Sequence, residues 1–269
     1  MSLHRLCVSV FGFGLLFAGV PLKSQMTSQS WHVESTGDPF AKLVNDSDMP
    51  IEAVSSFLRC FGAARYVWHN SDALLSPSLE TSSFRSADGR YLIGLKPGNS
   101  MNLSDDRCGV QVDAVIFADG RYEGSPDSVR AIQAGRDGIL ASVNYWLTIF
   151  SKENPDDANF AALKTQAENR HKQDSDTLGK FSILSMGDEK QSLSQAYWYG
   201  RTNTDLHVRQ MILMDFTGDK ATERYQHYVD RLTQWKKKIE TDVSRENLRA
   251  EFPPVTEDSV KPDNLAAQQ

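Results

Sequence analysis

Acidic side chains crowd one short stretch of the chain, VDAVIFADGRYEGSP, which runs from Val112 to Pro126. It places Asp113, Asp119 and Glu123 around a glycine, and carboxylates that converge can act as acid–base catalysts. The local pattern favours a turn, because VDAVIFA is typical of a strand, Asp119-Gly120 of a two-residue hairpin turn with positive φ, and RYEG of a return strand. Asp119 is then used by the turn, while Asp113 and Glu123 lie on different strands. The stretch therefore predicts architecture and no acidic site.

Aromatic side chains form a second cluster that could bind a ligand: Tyr197, Trp198 and Tyr199. Flat rings with polar edges could stack on a carbohydrate or a peptide. The alternative, which we favour, is that the three rings anchor a helical region onto a strand-rich part of the molecule.

The remaining polar residues indicate no chemistry. His207 with Asp205, or His227 with Glu223 one helical turn earlier, could be part of a hydrolytic or metal site, but we favour a surface or interfacial histidine on a helix. The groups at 45–48 (NDSD) and 174–176 (DSD) carry oxygen ligands that calcium prefers, yet they lack the glycine and distal glutamate of a known loop and are typical of turns. The sequence also contains no H-E-x-x-H, phosphate-binding glycine loop, G-x-S-x-G or paired C-x-x-C. We predict no catalytic residue, no metal site and no cofactor.

The first residues indicate export. Arg5 is followed by the uncharged run LCVSVFGFGLLFAGV, residues 6–20, and then by Pro21. A basic start before an apolar core of about 7 to 15 residues is typical of a signal peptide. We predict a signal peptide over residues 1–24, with cleavage after Ser24, and keep an uncleaved anchor as the alternative. No other segment approaches the roughly 20 apolar residues that span a bilayer, so no membrane span is expected in the mature chain.

Charge and cysteine usage agree with export to the periplasm or cell exterior. The formal net charge is −6, and removal of residues 1–24 takes away Arg5 and Lys23 and would leave −8. Such an acidic chain is a poor partner for nucleic acid. Cys7 lies in the signal peptide, which leaves Cys60 and Cys108 as a pair that predicts a disulfide in an oxidising compartment, with two buried free thiols as the alternative.

The cysteine pair also predicts a strand register. If the runs beginning at Ile51 and ending near Phe117 are antiparallel with Cys60 opposite Cys108, then Leu58 lies opposite Val110 and Ile51 opposite Phe117. The same register sets Ser56 beside Val112 and Ser55 beside Asp113. A disulfide between two sheets would serve the pair equally well.

The order of elements predicts an α+β protein. We expect a flexible linker over residues 25–39, an antiparallel β-sandwich of immunoglobulin-like size over 40–124, a helical region over 125–245 and a disordered tail over 246–269.

Helix signals fill the second half of the chain. Ser125 and Pro126 start the first helix, a similar signal at residues 154–157 starts the second, and the two are expected to form an antiparallel hairpin. Residues 205–216 favour a helix over a strand, and an apolar stripe predicts a last helix over 222–243.

Three motifs carry a resemblance to other proteins: VNDSDMPIEAV, LKPGNS, and VDAVIFADGRYEGSP running into a helix. Over about residues 40–150 the chain resembles a group of uncharacterised exported bacterial proteins with a strand-rich part followed by helices. The resemblance implies export and this order of elements, and it implies no activity.

These observations predict an exported, non-catalytic binding or structural module whose partner is an unknown ligand, protein or envelope component. The alternative is a secreted hydrolase with an unrecognised site between the sandwich and the helices. An enzyme should bring a carboxylate pair or a histidine with perturbed pKa values into a cleft, whereas a binding module should have a cavity without such groups. A subunit of an envelope assembly should instead expose a large apolar patch.

Overall fold

A computed structural model describes residues 30–35, 40–60, 66–74, 83–85, 91–104, 108–152, 157–184, 192–214 and 221–260. The fold is α+β, with antiparallel strands in the first half and helices in the second. The strands are β1 (Trp31–Ser35), β2 (Phe40–Asn45), β3 (Ile51–Cys60), β4 (Tyr66–Asp72), β5 (Ser83–Arg85), β6 (Tyr91–Ile93), β7 (Ser100–Ser104), β8 (Cys108–Phe117) and β9 (Tyr122–Gly124).

Strands pair in three antiparallel sheets. One has the order β1-β2-β7, the second has the order β4-β3-β8-β9, and β5 with β6 forms a small two-stranded ribbon. The linker expected over residues 25–39 is wrong where β1 lies, since Trp31 pairs with Asn45 and Ser35 with Ala41. The sequence signal was weak there because, among residues 31–34, Trp31 alone is buried and residues 32–34 are exposed.

The predicted register of β3 against β8 is confirmed at both ends. Cys60 lies opposite Cys108, Leu58 opposite Val110 and Ile51 opposite Phe117. Ser55 pairs with Ala114 and not with Asp113, because the ladder shifts between Ser55 and Ser56. A second shift between Ile51 and Ala53 leaves Glu52 as an extra residue. Such β-bulges redirect side chains. The extra residues at the two shifts, Asp113 in β8 and Glu52 in β3, are both acidic.

The β4-β3-β8-β9 sheet is covered on both faces. Val54 and Val115 pack in one cluster with Leu43 and Leu103 of the three-stranded sheet. On the other face, three small or branched side chains pack against Val129 and Ile132 and against Leu248 and Phe252; they are Ala53, Ala114 and Ile116. The order of layers is therefore sheet, sheet and helix.

The helices are α1 (Pro126–Phe150), α2 (Asp157–Leu184), α3 (Leu193–Met214), α4 (Ala221–Glu240) and α5 (Val243–Leu248), followed by a 3-10 helix at Glu257–Val260. The predicted start of α1 is confirmed, since the Ser125 side chain accepts a hydrogen bond from the Ser128 amide and Pro126 occupies the first turn. The helix expected at 205–216 is confirmed as far as Met214. It belongs to one continuous helix that begins at Leu193.

Helix packing differs from the expected hairpin of α1 and α2, because α3 packs along both of them and is the main neighbour of α1. Glycines permit this contact. A Cβ added at Gly138 would lie 2.0 Å from the carbonyl oxygen of Tyr197, and one at Gly200 would lie 2.1 Å from that of Gly135. Glycine inside a helix weakens it by about 1 kcal/mol relative to alanine, and here that loss accompanies close packing of two backbones.

The chain after the fourth helix also differs from the prediction. The helix expected over 222–243 ends at Glu240, because Asp242 accepts a hydrogen bond from the Arg245 amide and so caps a new helix. The disordered tail expected from residue 246 is corrected as far as Val260, since Phe252 and Val260 are buried. Its many polar residues and prolines concealed these anchors, and residues 261–269 lie outside the described part.

Candidate functional site

The three carboxylates of VDAVIFADGRYEGSP do not converge in the structure. Asp113 accepts a hydrogen bond from the Ser128 hydroxyl, Asp119 pairs with Arg121 at 2.7 Å, and Glu123 lies 3.4 Å from the Ser30 amide. Each of the three carboxylates thus has a different partner.

The turn within that stretch differs in type from the prediction. The Gly120 amide donates to the Phe117 carbonyl at 2.9 Å, so the loop spans residues 118–120. Within this loop, Gly120 has a positive φ, of 89°, and Asp119 does not. This is a three-residue loop that ends in a left-handed glycine, and not a two-residue turn with positive φ at both positions.

The aromatic cluster at 197–199 is divided between core and surface. Tyr197 and Trp198 are buried among helices, with Val260 packed against them, while Tyr199 is 47% exposed. The Trp198 indole donates to the Val260 carbonyl at 3.2 Å, and the Arg201 guanidinium lies 4.4 Å from its ring centre. The two buried rings therefore hold the C-terminal segment onto α3, where the sequence suggested either a ligand platform or contact with the strands.

The cysteine pair is placed by its backbone alone, because the side chains of Cys60 and Cys108 lie outside the described part. The two residues are Cα partners on antiparallel strands. Such partners lie about 4.5 to 5.5 Å apart, within the range that a disulfide bridges. The bond itself stays a prediction.

The polar groups considered for calcium or hydrolysis go to separate partners. The Asn45 amide donates to the carbonyls of Met49 and Leu95 at 2.9 and 2.8 Å, which is a turn function. His207 packs its ring against Trp235. Residues two positions apart on a helix do not face each other, so His207 and Asp205 point to different sides of α3.

A buried ionic group, which the sequence did not predict, lies where the strands meet the helices. The β-bulge in β3 turns Glu52 toward α1, and Arg136 of α1 meets it there. Asp72 is the last residue of β4, while Asp242 and Ser244 begin α5. We call these five residues the Arg136 network.

Arg136 donates hydrogen bonds to three of the four other members of this network. Its Nε donates to Asp72 Oδ2 at 2.7 Å, its Nη2 to Asp72 Oδ1 at 3.0 Å and to Glu52 Oε1 at 2.5 Å, and its Nη1 to the Ser244 hydroxyl at 2.9 Å. Ser244 Oγ also lies 2.6 Å from Glu52 Oε1 and 2.8 Å from Asp242 Oδ1. The side chains of Arg136, Glu52 and Asp72 are 0%, 1% and 2% exposed.

Burial and charge balance set the protonation of Glu52. Desolvation raises the pKa of Glu52 well above its ordinary value, Arg136 lowers it, and the charges of Asp242 and Asp72 raise it further. Since Oε1 already accepts from Arg136 and Ser244, a proton on this carboxyl belongs on Oε2. That oxygen is buried and has no hydrogen-bond partner within the described residues.

Glu52 also lines a cavity of about 350 Å³. Both larger sheets contribute to its wall, together with the segment before β7; the lining residues are Ile51, Glu52, Val54, Ser71, Asp72, Ala73, Gly94, Leu95 and Met101. Ligand sites are commonly concave, mostly apolar and equipped with a few polar groups. This cavity has that character, and it is the candidate functional site.

Two charged residues at apolar positions of the sequence are a signal for this network. Arg136 stands on the apolar stripe of α1 between Ile132 and Ile139, and Glu52 stands inside an apolar strand. A charged side chain at a core position requires a buried partner of opposite charge. The presence of Arg136 and of Glu52 at apolar positions therefore indicates that the two side chains are partners. No sequence rule supplies the bulge that brings them together.

The fold and site define an α+β protein with a buried ionic network beside a small apolar cavity. Comparison of the sequence with models of known families, with curated proteins and with solved structures finds no match. Within the part of the chain that the structure describes, no helix is both long and apolar enough to cross a bilayer.

Proposed function

We propose that this chain is an exported, non-catalytic binding module whose ligand occupies the cavity beside Glu52. The observation that carries the proposal is Oε2 of Glu52, which is buried without a partner among the described residues and belongs to a residue of the cavity wall. Burial raises the pKa of Glu52 well above its ordinary value, which favours the protonated carboxyl as a hydrogen-bond donor. An acceptor oxygen of a ligand would complete this hydrogen bond when the Glu52 carboxyl turns toward the cavity, since Oε2 has almost no accessible surface in this structure.

The cavity also indicates the size and polarity of the ligand. A volume of about 350 Å³ suits a small molecule, and most of the wall is apolar. A neutral compound with an apolar body and one carbonyl or ether oxygen matches both the wall and the Glu52 proton. Binding without catalysis is supported because both carboxylates are bonded to Arg136 and are almost fully buried.

Two finer features belong to the same proposal. The two larger sheets share one apolar cluster, which supports a β-sandwich. Cys60 opposite Cys108 supports a disulfide and thus an oxidising compartment, as the apolar run at 6–20 also suggests.

Binding of paired fragments tests the site. We expect cyclopentanone to bind roughly five- to tenfold more tightly than cyclopentane in ligand-observed NMR, which is the value of one hydrogen bond. Ala73→Leu, which fills the cavity, should abolish binding, and Ala250→Leu at an exposed position should not. Equal binding of both fragments, or binding that survives Ala73→Leu, would show that the cavity is not the site.

Protonation gives a second test of the same bond. Binding to the natural chain should weaken as the pH rises through the raised pKa of Glu52, because the donor is then lost. Glu52→Gln keeps an N–H donor at any pH, so its binding should not depend on pH. A pH dependence that persists in Glu52→Gln would exclude Glu52 as the donor.

A secreted hydrolase is the second candidate, and one observation favours it. Glu52 and Asp72 both line the cavity, and one of them has a raised pKa, as an acid catalyst requires. The two candidates separate in Glu52→Gln, which should keep fragment binding in a binding module and would abolish turnover of glycoside or ester substrates in a hydrolase.

A further inference from the structure

An open groove lies on the helical half of the molecule, away from the cavity. Its volume is about 660 Å³, and Tyr145 of α1 forms one side of it. Seven residues on one face of α2 form the rest; they are Ala161, Ala162, Thr165, Gln166, Asn169, Arg170 and Gln173. The two small alanine side chains leave room for a ligand, and the three amide side chains supply polar groups at the edge. Arg170 is the only charged residue among the described residues that line the groove.

Arg170 is held in place from two directions. Its Cζ lies 3.5 Å from the ring centre of Tyr145, and its Nε donates to Asp205 Oδ1 at 3.3 Å. Tyr145 is itself fixed, because Gln166 donates to its hydroxyl at 2.9 Å. The guanidinium is therefore oriented before any ligand arrives, which lowers the entropy lost on binding.

Asp205 is an anchor and does not compete for the groove. It is 0% exposed, and it also accepts from the Trp146 indole at 2.8 Å and from the Ser142 hydroxyl. Its bond to Arg170 uses Nε alone. The Nη1 and Nη2 groups of Arg170 have no hydrogen-bond acceptor among the described residues, and the side chain remains 14% exposed at the groove.

We propose that this groove binds an organic anion, with a carboxylate on Arg170 and an apolar body over the two alanines. A guanidinium presents two parallel N–H groups that match the two oxygens of a carboxylate. Among the described residues, no carboxylate lines the groove to oppose such a ligand. Asn169 and Gln173, which are one helical turn apart on the groove face of α2, add neutral donors beside Arg170.

Matched acids and amides test the proposal by isothermal titration at pH 7.5. Benzoate and hexanoate should bind, and benzamide and hexanamide should bind at least tenfold more weakly, because they lose the charge-assisted bond. Acid and amide binding equally, or neither acid binding at 10 mM, would overturn the proposal.

Three variants locate the binding. Arg170→Gln should remove the preference for the acid, and Gln173→Glu should weaken the acid roughly tenfold through a like charge while leaving the Asp205 anchor intact. Gln173→Glu keeps the test valid if Arg170→Gln fails to fold. Lys172→Gln removes one positive charge from an exposed position of the same helix and should change affinity by less than about twofold. If Lys172→Gln weakens acid binding as much as Gln173→Glu does, the overall charge of this helix and not a site at Arg170 would explain the affinity, and the proposal would be overturned.

The groove and the cavity beside Glu52 are independent. Ala73→Leu should leave benzoate binding unchanged, and Gln173→Glu should leave cyclopentanone binding unchanged. A loss of acid binding in Ala73→Leu would overturn the groove as a separate site.

Discussion

Replacing Arg136 with methionine tests whether the Arg136 network holds the strands and helices together. The substitution keeps much of the apolar length of the side chain and removes its charge and its donors. Asp72, Glu52 and Ser244 then lose hydrogen bonds of 2.5 to 3.0 Å inside the protein. Breaking a buried pair by removing one partner costs about 3 to 5 kcal/mol. We expect a loss of that size, because the acidic side chains of Asp72 and Glu52 would stay buried without their cationic partner.

Urea unfolding at pH 7, followed by tryptophan fluorescence, measures this loss. The total stability of a domain is about 5 to 15 kcal/mol, so Arg136→Met should lower the midpoint clearly. Adding Glu52→Gln and Asp72→Asn to Arg136→Met should recover part of the loss, since the acidic groups left without Arg136 are replaced by neutral amides.

Arg121→Met is the matched control for this experiment. Arg121 also bonds to a carboxylate, at 2.7 Å from Asp119, but its side chain is 58% exposed. Exposed pairs contribute about 0 to 1 kcal/mol. If Arg136→Met costs no more than Arg121→Met, the network does not hold the two halves together.

Further predictions concern three other places. Burial raises the pKa of Asp174 from 3.8 to about 6, although the charge of Arg201 lowers it, so the folded state binds a proton more tightly than the unfolded state does. The free energy of unfolding should therefore fall by about 3 kcal/mol as the pH rises from about 4 to 6. Urea unfolding of Asp174→Asn should not show that fall. Gly138→Ala places a Cβ 2.0 Å from the Tyr197 carbonyl oxygen and should lower the stability measured by thermal unfolding by about 3 kcal/mol. Gly179→Ala, whose Cβ meets nothing within 4 Å, should instead stabilise the protein by up to about 1 kcal/mol. Equal stability changes in the two variants would contradict the close packing of α1 on α3. Cys60 and Cys108 should resist alkylation until reduced, with a stability contribution of roughly 4 kcal/mol, and an intact mass that shows both thiols modified without reductant would exclude the disulfide.

Local sequence signals account for the parts of the fold that depend on neighbouring residues. Ser125 and Pro126 specify the start of α1 by capping, and the apolar pairs between β3 and β8 specify their register. Both signals act within one element or one strand pair. The order of strands followed by helices could therefore be predicted.

Features that depend on contacts distant in sequence could not be predicted in the same way. Residues 246–260 look like a disordered tail because most of them are polar, yet Val260 is fixed by Trp198, whose sequence position is 62 residues away. Gly138 lowers helix propensity, and only the crossing of α3 shows why it is there. Glu52 faces the helices because one extra residue interrupts the ladder, and no pattern of side chains encodes that shift.

The bulge at Glu52 links the stability of the fold to the candidate site. Without the extra residue, the strict alternation of a strand would turn Glu52 to the face opposite Ala53, away from α1. The end of β4 must also be positioned, and α4 does this, because Trp235 donates to the Leu74 carbonyl and Lys238 to the Ala73 carbonyl, both at 2.9 Å. One wall of the cavity is thus held by the same contacts that join strands to helices. A ligand that completes the bond to Glu52 would therefore stabilise that junction, because it removes the penalty of a buried donor without a partner.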